Sequence, residues 1–172
     1  MPAARLQTLA ANVTFSAIKG ILINRETESG GYEDRIRTSF ARQGLMRTLG
    51  ATLTKVAPGL VEIAMRPVPE ISQQHGFVHA GAVSAIADTA AGYAALTLMP
   101  PERGVLTTEF KINLVAPAVG QRIIARGKVI KAGRTLTLAQ ADVFTESEGR
   151  ERLVAYLTAT MMTVAGRQGI VD

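Results

Sequence analysis

Both histidines of this chain fall in one short stretch, His75-Gly76-Phe77-Val78-His79-Ala80-Gly81, and one carboxylate, Asp88, follows in the apolar segment behind it. From Gly81 to Met99 nearly every residue is small or aliphatic, and Asp88 is the only acid. Aspartate is a poor helix-interior residue, and an unpaired carboxylate is costly to bury. Its presence there points to chemistry. A helix start offers free backbone N–H groups and the positive end of the helix dipole. Ala80 and Gly81 are small, so a ligand carbonyl can approach their amides closely, as in an oxyanion hole. Asp88 then serves either as a general base toward water or as a nucleophile on an acyl carbon.

Spacing adds a constraint. Ala80 and Asp88 are eight residues apart, which is roughly 12 Å along one helix. Groups acting on one carbonyl must each come within about 3 Å of their target atoms. One helix cannot bring both to the same carbonyl, whereas two antiparallel helices from two protomers can. The expectation is a homodimer with two interfacial sites.

The elements that position these residues follow from periodicity. Residues 35–49 read as a helix, with Ile36, Phe40 and Leu45 toward the core and Arg35, Arg42 and Arg47 toward solvent. Over Gly59–Arg66, Val61, Ile63 and Met65 alternate with Leu60, Glu62 and Ala64, a strand pattern. The apolar helix comes next and ends at Pro100-Pro101. Four strand-like runs follow: Phe110, Ile112 and Leu114 alternating with polar neighbours, then Arg122–Lys131, Thr135–Phe144 and Leu153–Val164. The turns Ala132-Gly133-Arg134 and Ser147-Glu148-Gly149-Arg150 imply antiparallel hairpins. A helix that is apolar all round needs cover on every side. The sheet must therefore curl around it, or a second subunit must complete its burial. The expected class is α+β, in the hotdog arrangement of a curved antiparallel sheet wrapped around a long central helix.

Residues 6–23 form a weakly amphipathic pattern, with no acidic residue before Glu26, and Glu26–Asp34 is polar and glycine-rich. Residues 1–34 read as an N-terminal extension and linker, and residues 35–172 as the domain. A cleavage pattern of the secretory kind is missing, and the expected location is the cytoplasm.

With 172 residues the chain suits one such domain, and its composition is that of a soluble protein, 47% hydrophobic and 19% charged. Without cysteine it has no disulfides, thiolate chemistry or cysteine-ligated metal. Two histidines without a carboxylate cluster argue against a metal site. The net charge of +5 is dispersed and aromatics make up only 5%. Nucleic acid is therefore not an expected partner, while a phosphate-bearing small ligand is. The Gly81–Met99 segment is rich in alanine, carries Asp88 and lacks flanking basic anchors, so it does not read as a membrane span.

The motif Q-x-H-G-x-x-H-A-G followed by A-D, Gln73 to Asp88, resembles the hotdog thioesterases of the 4-hydroxybenzoyl-CoA and PaaI-like (phenylacetyl-CoA) groups. The run T-T-E-F-K-I-N-L-V-A-P-A, Thr107–Ala118, is similar to the second strand of that family with its terminal proline. The resemblance covers about residues 36–165. It implies an acyl-CoA thioesterase with coenzyme A as part of the substrate and no metal or redox cofactor, in dimers that pair into tetramers. Asp88 takes the catalytic carboxylate position, and the Ala80 amide takes the position that polarises the thioester carbonyl. His79 sets the loop, and Gln73 orients substrate or water. Thr107 takes a hydroxyl position near the carboxylate in the partner site. Many relatives have Gly in place of Ala80 and Asn in place of Gln73. Lys131 and Arg134 flank a hairpin turn and are candidates for the coenzyme A phosphates; Gly81 is a candidate for close ligand approach. Phe77 and Tyr93 are candidates to line an acyl site, and His75 reads as a loop residue. Two other readings stay open: a hotdog dehydratase or hydratase using His79 with an acid, and a non-catalytic acyl-CoA-binding module.

Overall fold

The computed structural model describes residues 31–165. The expected helix over residues 6–23 lies outside them, as does most of the expected linker. The described elements are α1 (Gly31–Arg42), α2 (Gly44–Thr48), β1 (Thr52–Ala57), β2 (Leu60–Met65), α3 (Ala80–Leu96), β3 (Gly104–Leu114), β4 (Arg122–Lys131), β5 (Leu136–Ser147) and β6 (Arg150–Val164). A single 3-10 turn, Pro69–Ile71, leads from β2 toward α3.

The strands form one antiparallel sheet in the order β1-β2-β4-β5-β6-β3. The two glycine turns make the β4–β5 and β5–β6 hairpins. Glu148 and Gly149 both have positive φ, 51° and 73°, as a tight right-twisted hairpin turn requires. β3 does not join β4, its neighbour in sequence; it crosses to the far edge and pairs with β6. α3 lies across the inner face of this sheet, in contact with β2, β3, β4, β5 and β6. This is the hotdog arrangement.

What lets the helix sit there is the absence of side-chain bulk. Ala87, Ala90, Ala91 and Ala94 are fully buried on α3, facing a sheet whose central strands offer Ala125, Ala139 and Ala141. At Gly127 on β4 the backbones come closest. A Cβ built there would lie 2.2 Å from the Ala90 carbonyl carbon and oxygen. Alanine also has the highest helix propensity, so one residue type serves both local structure and packing. Larger groups, Val61, Ile63, Ile86, Ile123 and Leu157, fill the space around this contact.

The end of α3 explains three differences from the sequence reading. Arg35 is not a solvent residue. Its guanidinium donates to the carbonyls of Leu96 (2.5 Å), Met99 (3.2 Å) and Pro100 (2.7 Å), the acceptors a helix C-terminus leaves open. α1 already covers Gly31–Asp34, the described part of the expected linker, and the helix breaks at Gln43, so the expected 35–49 helix is two helices. After the break Met46 is buried instead of Leu45, which is exposed. The structure also adds β1, a strand the alternation did not reveal. It is a polar edge strand with no fully buried residue, so it carries no period-two signal.

On the outer face Arg126 of β4 bonds Glu62 of β2 and Glu151 of β6 and lies 4.9 Å from the Phe144 ring centroid, tying four strands together. Among the described residues no helix is long and apolar enough to cross a membrane.

The Gly127–Ala90 contact predicts that Gly127→Ala forces backbone apart. We expect a loss of about 3 kcal/mol and a melting temperature lower by roughly 6–12 °C, read from thermal unfolding. An unchanged melting curve would remove the claim that this contact sets the helix position.

Candidate active site

Two chemically distinct places lie on α3. The first is its middle. Asp88 is half-buried, and the Thr107 hydroxyl on β3 donates to its Oδ1 at 2.8 Å. Thr107 was expected beside the carboxylate of the opposite site; here it holds Asp88 of its own chain. No cation among the described residues forms an ion pair with Asp88. Burial pushes its carboxyl above the ordinary value, and the Thr107 hydrogen bond opposes that rise without cancelling it.

The second place is the helix start. His79 is the N-cap, with φ −62° and ψ 138°. Its Nδ1 accepts the Gly81 N–H at 2.8 Å. Its carbonyl takes the N–H groups of Ala82 (3.0 Å) and Val83 (3.2 Å). The Val83 bond is the first regular turn of the helix. Of the four amides the N-terminus leaves open, those of His79 (to Ile71 O), Gly81 and Ala82 have acceptors, and only that of Ala80 has none among the described residues. The Ser84 hydroxyl donates back to the Ala80 carbonyl at 2.8 Å, which steadies this turn. Gly81 is thus not the close-approach amide expected of it. Its N–H belongs to the cap, and a Cβ there would lie 3.0 Å from His79 Nδ1.

The loop before the cap is pinned at several points. Ser72 and Val78 form a β-bridge. His79 N–H donates to Ile71 O at 2.8 Å, and Val78 N–H to Ala118 O at 3.2 Å. Between them the chain turns through Gly76, whose φ of 81° suits glycine. Gln73 Oε1 accepts the His75 N–H at 2.7 Å, so one end of that amide stabilises the turn. His75 itself is an exposed turn residue.

In front of this helix start lies a groove of about 480 Å³. Gln73, His79 and Ala80 form its polar side; Phe77, Val83, Leu114, Val115 and Val154 are among its apolar walls. The sequence reading missed the wall residues other than Phe77; for Leu114 and Val115 the available signal was the apolar run leading to Pro117. Tyr93 is not among the lining residues. It is buried, with its hydroxyl on Ser39 (3.0 Å) and Gln43 (3.0 Å) and its ring against Phe40.

The two places are not joined within one chain. Strand register shows the same separation. Leu114 of the groove and Thr107 of the Asp88 site lie near opposite ends of β3, about 20 Å apart. Lys131 pairs with Leu138, which pairs with Thr160, which pairs with Glu109. Lys131 and the Arg134 turn therefore belong to the Asp88 end and not to the groove. Both are exposed.

Comparison with known proteins agrees with this architecture. A family model described as Thioesterase superfamily matches residues 75–151. The crystal structure of a thioesterase family protein from Silicibacter pomeroyi is 49% identical, with 79% of this chain and 100% of that one covered and a TM-score of 0.77. Human acyl-coenzyme A thioesterase 13 is 29% identical over 119 residues, 67% of this chain and 83% of the relative. The PaaI protein of the E. coli phenylacetic acid degradation operon shares the fold at 16% identity, with 79% and 95% covered and a TM-score of 0.71.

The raised Asp88 ionisation has a consequence for stability. The unfolded chain ionises near the ordinary value of 3.8 and the folded chain above it, so stability falls as pH rises between the two, and the loss persists at neutral pH. Asp88→Asn keeps an acceptor for Thr107 and removes the ionisation. We expect this variant to be more stable than the parent at neutral pH, with the difference gone below about pH 3.8, as measured by urea midpoints across pH. A parent protein that gains stability over the same rise in pH would contradict the assignment.

Proposed function

We propose that this chain, which belongs to the thioesterase superfamily and is a thioester hydrolase, acts on acyl-coenzyme A at a site shared between two subunits. The observation that carries the reading is the division of the site. Each chain bears one free helix-start amide with a groove, and one desolvated carboxylate about 12 Å further along the same helix. Neither alone is a hydrolytic centre.

Two features favour a second copy as the complement. On α3 the residues Gly81, Ser84, Ala85, Asp88 and Thr89, at helical spacing, are not fully buried, while the C-terminal half of the helix is. Beside them β3 is an outer strand of the sheet, with Leu106 40% and Phe110 45% exposed. An unpaired strand edge with apolar side chains is a template for another chain. A twofold axis there sets each Asp88 against the other subunit's helix start.

In such a site the thioester carbonyl oxygen accepts the Ala80 N–H, aided by the positive end of the helix. Asp88 of the opposite subunit either takes a proton from water as the water oxygen attacks the carbonyl carbon, or attacks that carbon itself. In both routes the carbon–sulfur bond breaks, the thiolate of coenzyme A leaves, and water ends as the new oxygen and proton of the products. Single turnover in isotopically labelled water separates them: the label enters the released acid directly for a base, and Asp88 first for a nucleophile. Gln73 has one end of its amide free to orient substrate or water. Lys131 and Arg134 stand at the carboxylate end, where the coenzyme A phosphates would lie. His79 commits Nδ1 to the helix cap, which favours hydrolysis over a histidine-driven dehydration.

Backbone geometry offers a clean test. Proline is tolerated at the first position of a helix and has no N–H, and the extended His79 conformation is compatible with a following proline. Ala80→Pro therefore deletes the amide proton with little cost to the fold. We expect Ala80→Pro and Asp88→Asn each to lower thiol release from acyl-CoA by about a hundredfold or more. Mixing and refolding the two variants should restore about a quarter of parental activity. Half the dimers are then mixed, each with one intact site out of two. Activity within about threefold of the parent in Asp88→Asn would exclude the role of that residue, and no recovery on mixing would exclude the shared site.

A further inference from the structure

Strand register carries one more site, on the face of the sheet turned away from α3. β2 and β4 pair as far as Met65 with Ile123, and one step further Arg66 stands across from Arg122. Ile63, Met65, Ile123 and Ala125 belong to the core, so by alternation Arg66 and Arg122 share the outer face with Ala64 and Ile124. Like charges set opposite each other on neighbouring strands are destabilising. Arg122 reaches one carboxylate, Glu146, at 3.4 Å, a long contact for a charged pair. Arg66 is exposed and has no hydrogen bond or ion pair among the described residues. Two guanidinium forks thus meet a single carboxylate.

Both arginines line a groove of about 440 Å³ whose apolar floor is Leu49, Ala64 and Met65. Other donors there are engaged within the chain: the Thr52 hydroxyl donates to Ala64 O at 3.3 Å, and the Gly50 N–H to Arg47 O at 3.0 Å. This groove has no lining residue in common with the one before the Ala80 amide. We propose that Arg66 and Arg122 clamp a small phosphate monoester, its organic part on the apolar floor, at a site separate from that of the thioester. A phosphate dianion accepts paired N–H groups from two planar forks, and its charge offsets the repulsion that the register imposes. Glu146 competes for Arg122, so a doubly charged phosphate displaces it more readily than a singly charged carboxylate does. The volume is within the range of sites for small organic ligands, and burying an apolar group on the floor adds to the affinity of an ester over inorganic phosphate.

The test is calorimetric titration of the full-length protein with phenyl phosphate, inorganic phosphate and benzoate in low salt at about pH 8, where phosphate esters are dianions. We expect phenyl phosphate to bind tightest of the three, about tenfold or more above benzoate, and Arg66→Gln and Arg122→Gln each to weaken it by about tenfold or more. Without ligand, Arg66→Gln should keep thiol release from acyl-CoA within about twofold of the parent and raise the melting temperature in low salt, because it removes the repulsion. No binding of phenyl phosphate by the parent, or equal binding by parent and Arg66→Gln, would overturn the site. Benzoate binding as tightly as phenyl phosphate would overturn the ligand class. A KM for acyl-CoA that phenyl phosphate raises in the parent but not in Arg66→Gln would place the clamp on the substrate path and overturn its separateness. Binding is read without turnover, so a failure of the hydrolase reading leaves this test intact.

Discussion

The structure depends on how closely α3 can approach the sheet. At Gly127 and Ala90 two backbones meet with no side chain between them. Everything else is arranged around that contact: alanines on the inner strands, branched residues at the flanks, and a sheet curled far enough to touch the helix from β2 to β3. A helix so enclosed has polar backbone ends that solvent cannot serve freely, and unpaired backbone groups are costly. The chain meets this at both ends with side chains. Arg35 serves the carbonyls at the C-terminus, and His79 serves an amide at the N-terminus.

The two solutions differ in completeness, and the difference separates structure from chemistry. Arg35 donates to three carbonyls in the region where the helix ends. At the start, capping stops one amide short. The His79 ring and carbonyl account for Gly81 and Ala82, and Ile71 takes the His79 N–H, which leaves the Ala80 N–H without an acceptor among the described residues, in a residue that lines the groove. Asp88 is a second departure from economy, a carboxylate held partly out of water with only a hydroxyl for company. Departures of this kind cluster where function outweighs stability.

The central parts of this fold were legible because they repeat. The Val61, Ile63, Met65 alternation, the alanine-rich segment and the two glycine turns each mark an element by a local rule, and β4 matches its expected bounds of Arg122 to Lys131. β1 was illegible because an edge strand with half-exposed residues has no buried face to announce it. The break at Gln43 and the inward turn of Arg35 were hidden for another reason. They answer the end of α3, more than fifty residues away in sequence, and no local pattern encodes that demand. At the site, Asp88 stood out as a lone acid in an apolar run. Thr107 and the helix-start amides were named, but Gly81 was assigned to the ligand when its N–H serves the histidine cap. Which amide stays free is decided by a rotamer, and that is invisible in a string of letters.

In the proposed shared site the group assigned to polarise the carbonyl, the Ala80 amide, is part of the main chain. Position 80 can therefore exchange one small residue for another during divergence without altering the electronic environment of the bound thioester. Comparing homologous chains letter by letter would register such an exchange as lost identity at the heart of the site. The invariant would instead be a dihedral pattern, shared by proteins whose letters there disagree.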